Sequence, residues 1–305
     1  MKGIVTKSTG SWYDVLGENE LLYQARLRGK FKNQDLKVTN PIAVGDIVEF
    51  EMVEDGSVSI TSILPRLNYI LRKSPRKTAH AHLLAANIDQ AMLVVTISSP
   101  RTSTGFIDRF LISAEAFRIP VILVFNKTDL LNDDEMEIRD ALTDLYQSLC
   151  EEVIHCSALT GENTEHLRAV LKGGKTLLSG HSGVGKSSVI NRIAPELHLK
   201  TGEISAFSDK GTHTTTFAQM FRLDSDTFII DTPGIKELGL IDMEKEEIAH
   251  YFPEMRALIG DCRFNNCLHV NEPGCAVKAS VNEGDIHESR YYNYLGMLEE
   301  KDSYR

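Results

Sequence analysis

Residues 180–187 have the residue types and the spacing of a loop that binds the phosphates of a nucleotide. In order they are Gly180, His181, Ser182, Gly183, Val184, Gly185, Lys186 and Ser187, and Ser188 follows. Glycines let backbone N–H groups curl around an anion, and a helix that begins here adds its partial positive charge. The pattern predicts that Lys186 binds the β- and γ-phosphates, that the Ser187 hydroxyl ligates Mg²⁺, and that Ser188 lies in the same site. The alternative interpretation is a glycine-rich turn.

A second group of residues has the pattern that selects guanine. Asn126, Lys127, Thr128 and Asp129 follow an apolar strand. The Asp129 carboxylate offers two acceptors to the N1–H and the 2-amino group of guanine, which adenine cannot match, so we expect GTP to be chosen over ATP. Lys127 can lay its methylene groups over the base. Ser157 and Ala158 end the next strand, where a backbone N–H would bind the guanine carbonyl.

A third motif, Asp231-Thr232-Pro233-Gly234, also follows an apolar strand. At the carboxyl edge of a sheet, Asp231 is predicted to hold Mg²⁺ through water, and the Gly234 N–H is predicted to sense the γ-phosphate. Ile235 stands where Ras-type enzymes have the glutamine that orients the attacking water. We therefore expect slow intrinsic hydrolysis and a partner that completes the site or orders the switch.

The polar segment 209–216 lies between the phosphate loop and Asp231, where a switch segment is expected. One of Thr214 and Thr215 is predicted to close on Mg²⁺ and the γ-phosphate and to let go after hydrolysis. His213 could orient the attacking water, or it could simply be exposed. An ordinary surface loop is the alternative interpretation for this segment.

These motifs occur in an unusual order along the chain. GTPases usually have the phosphate loop first and the Asn-Lys-x-Asp motif late, whereas here the guanine motifs at 126 and 157 precede the loop at 180. Because an active site is defined in space, the same fold can be rejoined elsewhere without losing its chemistry. The order predicts a circularly permuted GTPase domain.

A different chemistry is indicated by Cys262, Cys267, His269 and Cys275, which place three thiols and an imidazole within fourteen residues. This closed Cys3His set predicts one structural zinc ion that stabilises a small domain. Redox-active cysteines or buried thiols without a ligand are the alternatives. Cys150 and Cys156 are predicted to be packing residues.

The elements that must position these groups follow from hydrophobic patterning. Residues 1–66 carry short alternating segments typical of a five-stranded β-barrel, for which an OB-fold is the most economical interpretation, although an SH3-like barrel would look similar. Residues 81–238 alternate apolar strands with amphipathic helices, which predicts an α/β domain with a mostly parallel sheet. Residues 239–305 are predicted to be a mainly helical zinc-binding domain that ends in a helix from about residue 286 to 301.

Two smaller patterns complete this prediction. Residues 67–80 are interpreted as a basic linker, and the segment that begins with Arg66 is either a solvated connection or a strip that contacts phosphates beside the barrel. Ile138, Leu142, Leu145 and Leu149 recur at helical spacing and are predicted to face the core.

Composition narrows the class of protein. The 305 residues include no run of apolar residues long enough to span a bilayer, and residues 1–7 do not resemble a signal peptide. The odd number of cysteines also favours a reducing, cytoplasmic location. The net charge is −10, yet residues 1–80 carry 12 Lys and Arg against 9 Asp and Glu. The N-terminal part is therefore the candidate RNA-binding face, because local charge decides such contacts.

The order of the nucleotide motifs, the small N-terminal barrel and the downstream Cys3His set coincide in one chain. In this combination the sequence resembles the ribosome small-subunit-dependent GTPase family (RsgA, also called YjeQ) over nearly its whole length. Residues 211–215 are similar to the switch segment of that family, and His213 matches its suspected catalytic histidine. The resemblance also implies that the lack of the Ras-type glutamine is shared with that family.

This resemblance implies an OB-fold, a permuted GTPase domain and a zinc domain that act in late maturation of the small ribosomal subunit, with hydrolysis stimulated by that particle. GTP, GDP, the small subunit and its rRNA would be the partners, and a monomer is the default. A permuted GTPase that serves the large subunit is one alternative. An RNA-binding scaffold with GTP as a structural or regulatory ligand is another, although Lys186, Ser187, Asp231 and Asp129 argue against it.

Overall fold

The computed structural model describes residues 1–27, 40–53, 57–73, 81–199, 218–232 and 243–303. These ranges form a small β-barrel, a central α/β layer and a C-terminal helical region. The arrangement is the one that the hydrophobic patterning predicts. No helix within these ranges is both long enough and apolar enough to cross a membrane.

The N-terminal strands close into a five-stranded barrel. They are β1 (Lys2–Ser8), β2 (Tyr13–Gly17), β3 (Leu22–Leu27), β4 (Ile47–Met52) and β5 (Val58–Ile63). The barrel order is β1-β2-β3-β5-β4, and β4 pairs back onto β1. Alternate side chains point inwards, so that Val5, Val15 and Ile60 are fully buried. The closed barrel confirms the expectation of an OB-fold.

A two-stranded hairpin connects the barrel to the rest of the chain. Strand β6 (Tyr69–Lys73) pairs antiparallel with β7 (Ala81–Ala86). Part of the predicted linker 67–80 is therefore a strand, while residues 74–80 lie outside the described residues. The domain boundaries at residues 66, 80 and 238 stay a prediction.

Arg66, at the start of this connection, has a structural role. Its guanidinium donates to Asp46 at 2.6 and 2.7 Å and to the carbonyl of Pro41 at 2.7 Å. The Asp46 side chain is completely buried and that of Arg66 is 11% exposed. These bonds to Asp46 and Pro41, which precede β4, occupy donors of the Arg66 guanidinium and argue against a contact with phosphates at this residue. The side chains of Arg72, Lys73, Arg76 and Lys77 lie outside what the structure describes.

The central layer is a twisted sheet with helices on its faces. Its strands are β8 (Gln90–Val95), β9 (Val121–Phe125), β10 (Glu152–His155), β11 (Lys175–Ser179), β12 (Gln219–Arg222) and β13 (Phe228–Asp231). Its helices are α1 (Thr104–Ala116), α2 (Asp133–Tyr146), α3 (Thr164–Leu171) and α4 (Lys186–Ile193). The strand order is β10-β9-β8-β11-β13-β12, and only the β12 pairing is antiparallel. Continuous apolar strands such as β9 are buried on both faces, as expected for a parallel sheet.

The barrel and the central sheet are one hydrogen-bonded sheet of eleven strands. Lys7 of β1 pairs with Gln219 of β12, and Gln219 pairs in turn with Asp231 of β13. Apolar packing supports this junction, because Val44 and Met220 belong to the same buried cluster. The end of β1 therefore lies only two strands from the predicted Mg²⁺ residue.

The helical stripe on α2 is only partly core. Leu142, Leu145 and Leu149 pack against the main cluster, and Tyr146 is fully buried. Ile138 is 47% exposed, so its predicted place in the core is wrong. The reason is that only the second half of α2 reaches the sheet, and no residue in its first half is fully buried. Cys150 and Cys156 lie in apolar clusters, as predicted.

The C-terminal region packs on α1. Its helices are α5 (Lys245–Ile248), α6 (Pro253–Arg256), α7 (Ala276–Glu283) and α8 (Glu288–Ser303), the last beginning two residues later than expected. Ile112 of α1 is buried in the C-terminal apolar cluster. Across the same junction Arg290 of α8 donates to Asp108 of α1 at 2.7 Å, with both side chains at most 2% exposed.

We predict that Arg66→Ala destabilises the barrel by about 3–5 kcal/mol, because it leaves the buried Asp46 carboxylate without its cation. Denaturant unfolding followed by tyrosine fluorescence and by hydrogen exchange of β1–β5 measures the loss. The matched control is Arg222→Ala, since Arg222 is half-buried and pairs with the exposed Glu20, so that this ion pair should contribute at most about 1 kcal/mol. Equal losses in the two variants would contradict the assignment of Arg66 as a structural residue.

Candidate functional site

The predicted phosphate loop joins β11 to α4, the strand-loop-helix context that the motif requires. Its glycines have positive φ, at +137° for Gly180 and +94° for Gly185. A Cβ on Gly180 would collide with the Val94 carbonyl, and one on Gly185 would collide with the Asn126 amide. Close approach of the Val94 backbone at Gly180 and of the Asn126 side chain at Gly185, together with the positive φ angles, therefore requires glycine at these two positions.

Lys186 and Ser187 are the first two residues of α4. The Lys186 ammonium donates to the carbonyls of Gly180 and His181 at 2.7 and 2.8 Å, which holds its charge against the start of the loop. Ser187 is 7% exposed, whereas Ser188 points to solvent. The loop thus collects a cation, a hydroxyl and a helix N-terminus at one place, a combination suited to binding a polyphosphate.

The Asn126 side chain connects the guanine motifs to the phosphate loop. Its amide nitrogen donates to the Val184 carbonyl at 2.8 Å, and its amide oxygen accepts from the Ala158 N–H at 3.1 Å. The Cys156 thiol lies 3.6 Å from the same oxygen. Asn126 is 3% exposed, so each of these bonds satisfies a buried polar atom. Residues that are distant in the sequence therefore meet at one side chain.

The remaining residues of the guanine motifs are held in place by short contacts. The Ser157 hydroxyl donates to Asp129 Oδ1 at 2.5 Å. Lys127 adopts a left-handed backbone conformation, and its ammonium donates to the carbonyls of Ser99 and Gly183 at 2.6 and 2.7 Å. The Thr128 hydroxyl donates to Glu162 at 2.6 Å. Asp129 is exposed on this edge, where a base can reach it.

Asp231 ends β13 beside the phosphate loop. Burial raises the pKa of its carboxyl to about 6, and the charge of Lys186 opposes that shift. The neighbouring Thr232 hydroxyl is buried and has no hydrogen-bond partner within the described part of the chain. Mg²⁺ prefers oxygen ligands. The available oxygen donors are the Asp231 carboxylate, the Thr232 hydroxyl and the Ser187 hydroxyl, and this set fits Mg²⁺.

Four predicted residues cannot be placed. His213, Thr214, Thr215 and Gly234 lie outside the described residues. Their roles in closing the site and in orienting water stay predictions.

The structure adds residues that the motifs did not indicate. Ser99 lies in the loop after β8 and accepts from Lys127, and Pro100 of the same loop packs on Gly183. Phe106, in the first turn of α1, stacks on His181 with ring centroids 3.8 Å apart. The sequence signal that could have indicated these residues is their position after β8. Strand β8 neighbours β11, and loops at the carboxyl edge of such strands form ligand crevices.

The cysteine and histidine residues of the C-terminal region form one cluster. The ligand atoms of Cys262, Cys267, His269 and Cys275 all lie within 4.8 Å of one another. His269 Nδ1 is 3.6 Å from Cys262 Sγ and 3.3 Å from Cys275 Sγ. Donors on a tetrahedral zinc ion are separated by roughly 3.5–3.8 Å, so the spacing fits such an ion.

The protonation chemistry of the cluster also fits a cation. Burial raises the pKa of the Cys267 thiol to about 12, and the neighbouring thiols Cys262 and Cys275 reinforce the shift. Burial lowers the pKa of His269, which favours the neutral imidazole that coordinates metals. Several thiolates at this separation would repel one another unless a cation lay between them. The group can therefore hold a metal ion.

Hydrogen bonds from outside the cluster fix its backbone. Glu272 accepts from the N–H groups of Leu268, Val270 and Asn271 at 2.9–3.0 Å. From α8, the Tyr291 hydroxyl donates to the His269 carbonyl at 2.6 Å and the Tyr294 hydroxyl donates to the Leu268 carbonyl at 2.7 Å. Such supporting bonds orient metal ligands before the ion binds.

Comparison with protein families supports the same interpretation. A model described as RsgA GTPase matches residues 63–241, and one described as RsgA N-terminal domain matches residues 2–60. A relative from Bacteroides fragilis (strain YCH46), named Small ribosomal subunit biogenesis GTPase RsgA, is 51% identical over 302 residues, covering 99% of this chain and 97% of its own. The protein of that name from Cytophaga hutchinsonii is 53% identical over 307 residues and is matched over all of both chains.

Solved structures show the same similarity. The crystal structure of YjeQ from Thermotoga maritima matches with a TM-score of 0.78 and 38% identity over 98% of this chain and 97% of that one. YloQ, described as a circularly permuted GTPase, matches with a TM-score of 0.75 and 29% identity over 100% and 96% of the two chains. The permuted order of motifs is therefore shared with a solved relative.

We predict that Asp129→Asn exchanges the base preference of the site. An asparagine presents one acceptor and one donor, which matches the N1–H and 2-oxo group of xanthine but not the two donors of guanine. GDP affinity should fall at least about 100-fold while xanthosine diphosphate binding appears. Calorimetric titration with both diphosphates measures the exchange.

The matched control is Ser157→Ala, which removes the hydroxyl that holds Asp129 Oδ1 but keeps the carboxylate. This variant should lose GDP affinity by about tenfold or less and should keep the preference for guanine. If Asp129→Asn left GDP binding unchanged, Asp129 would not be the residue that reads the base.

We also predict that Cys267→Ser abolishes tight metal binding and loosens residues 243–303, because it removes one of four ligands from the cluster. Metal content after dialysis with a small excess of Zn²⁺, together with hydrogen exchange, measures both effects. Cys150→Ala is the control, since it removes a thiol from an apolar cluster and should keep the stoichiometry of one metal ion. Equal metal content in the two variants would exclude this ligand set.

Proposed function

Because the chain belongs to the RsgA GTPase family, we propose that it hydrolyses GTP at residues 180–187 and uses this cycle to assist maturation of the small ribosomal subunit. Relatives that cover nearly the whole chain carry the name Small ribosomal subunit biogenesis GTPase RsgA. The partners would be GTP and GDP, the small subunit and its rRNA.

The observation that carries this proposal is the buried amide of Asn126. It bonds simultaneously to Val184 of the phosphate loop and to Ala158 of the guanine motif. Two motifs that occur in permuted order along the chain thus lie together, which supports the proposal of a single nucleotide site. This arrangement supports guanine nucleotide binding, and the turnover of the Lys186→Ala variant separates a GTPase from a scaffold that only binds GTP.

The residues of the site suggest how GTP is held and cleaved. Asp129 selects the base, and the N–H groups of the loop and the Lys186 ammonium neutralise the β- and γ-phosphates. Ser187 and Asp231 would hold Mg²⁺, which adds positive charge at the phosphate oxygens when it is bound. Gly234, Thr214 or Thr215 would sense the γ-phosphate, and His213 would orient the attacking water.

Intrinsic hydrolysis is expected to be slow. Ile235 replaces the glutamine that orients water in Ras-type enzymes. A partner that orders the switch or supplies a missing group would remove this defect, as activating proteins do for other GTPases. The small subunit is the partner that the names of the relatives indicate.

The flanking domains would make contact with the particle. The OB-type barrel is a fold that binds oligonucleotides, and residues 1–80 carry the excess of positive charge. We assign zinc to the Cys3His cluster because three thiolates and one imidazole in a closed set are typical of structural zinc. A cytoplasmic location and a monomeric state are part of the same proposal.

We predict that purified protein hydrolyses GTP slowly and that small ribosomal subunits, but not large subunits or naked rRNA at matched salt, raise kcat at least about tenfold. Lys186→Ala should lower stimulated kcat by at least about 100-fold while part of the GTP binding remains. Steady-state phosphate release measures both effects. Equal slow rates in all mixtures would contradict the role of the small subunit, and an unchanged Lys186→Ala rate would contradict the catalytic role of Lys186.

A further inference from the structure

The first turn of α1 touches the phosphate loop. Phe106 and His181 lie with ring centroids 3.8 Å apart and ring planes at 31°. Ser103 caps this turn by accepting from the Phe106 N–H at 3.3 Å. His181 also supplies one of the two carbonyls that bind Lys186. A shift of this turn would therefore be felt at the residue that holds the phosphate-binding lysine.

The same turn of α1 is in contact with α8. Gly105 approaches Asn293 so closely that a Cβ on Gly105 would lie 3.3 Å from Asn293 Oδ1. Asn293 Nδ2 donates to Asp108 Oδ2 at 2.6 Å, and Arg290 donates to Asp108 Oδ1 at 2.7 Å. Both oxygens of one carboxylate in α1 are therefore occupied by side chains of α8.

Burial makes this contact rigid. Asp108 is completely buried and Arg290 is 2% exposed, so neither charge has water as an alternative partner. Arg290 also donates to both carboxylate oxygens of Glu254 at 2.7 and 3.1 Å. Tyr146 of α2 donates to Asp108 Oδ1 at 2.8 Å. The carboxylate thus fixes α8 to two helices of the central layer, and any displacement of α8 leaves buried groups unsatisfied.

We propose that Arg290 and Asn293 are positioning residues for nucleotide binding. By holding Asp108, they fix the first turn of α1, and through Phe106 and His181 this turn fixes the phosphate loop. The C-terminal region therefore contributes to nucleotide affinity without contacting the nucleotide. Tyr291 and Tyr294, which donate to the backbone of the loop that carries the Cys3His cluster, lie on the same helix, so this loop is bonded to the helix of the positioning residues.

The inference rests on the nucleotide site under Proposed function, and its test uses the full chain. Asn293→Ala removes one bond to Asp108, and Arg290→Lys keeps the charge but loses the planar set of donors. Both variants should raise the Kd for GDP at least about fivefold at a temperature well below melting. Calorimetric titration gives Kd, and circular dichroism verifies that each variant is folded.

Arg256→Ala is the matched control. Arg256 of α6 donates to Glu115 at the other end of α1, across the same junction, but both side chains are exposed. This variant should change neither the Kd for GDP nor the melting temperature appreciably. The comparison separates positioning of the first turn from general attachment of the C-terminal region.

A double-mutant cycle with Phe106→Leu tests the route. If Asn293 acts through Phe106, the double variant should bind GDP about as weakly as the worse single variant, whereas independent effects would multiply. A lowered melting temperature with unchanged Kd, or multiplicative losses in the cycle, would overturn the proposal. If the wild-type protein bound no guanine nucleotide, the proposed site itself would be wrong, whereas normal wild-type binding with unaffected variants would reject only the positioning role.

Discussion

The buried amide of Asn126 is the interaction on which the nucleotide site depends. A buried side-chain amide needs partners for both its nitrogen and its oxygen, and here they come from the loops around Val184 and Ala158. The Asn126 amide therefore joins these two loops directly. Because these hydrogen bonds constrain the positions of the loops in space and not their order along the chain, the order of the motifs in the sequence is free to change. Circular permutation is compatible with the chemistry for this physical reason.

The sequence predicted structural elements correctly wherever a local pattern is typical of a single structure. The phosphate loop, the guanine motif and the Cys3His spacing each combine residue types that few other structures require, and the apolar strands that precede them are found where expected. Burial was harder to predict. Ile138 continues an apolar stripe yet is exposed, and Arg66 begins a basic segment yet forms an ion pair with the buried Asp46, because tertiary packing decides which side chains are covered.

Contacts between distant elements could not be read from the sequence at all. Asp108 and Arg290 are 182 residues apart. Nothing in the neighbourhood of either residue indicates its partner, and an aspartate within a helix is normally assigned to a solvated face. The pairing of Lys7 with Gln219 is equally unpredictable, since strand pairing depends on which edges remain available after the barrel and the sheet have formed. The switch segment is the other part that sequence motifs indicate but the described residues do not include.

The junction between β1 and β12 has a consequence during protein synthesis. The barrel strands are complete at Ile63, but the strand that covers the end of β1 begins only at Gln219. At typical translation speeds the nascent barrel waits roughly 10–30 s for this partner. During that time the edge of β1 at Lys7 lacks this partner, and unpaired edges promote aggregation unless a charged residue interrupts them. Lys7, at the position that later pairs with Gln219, places a positive charge on that edge and would protect the nascent chain from incorrect pairing.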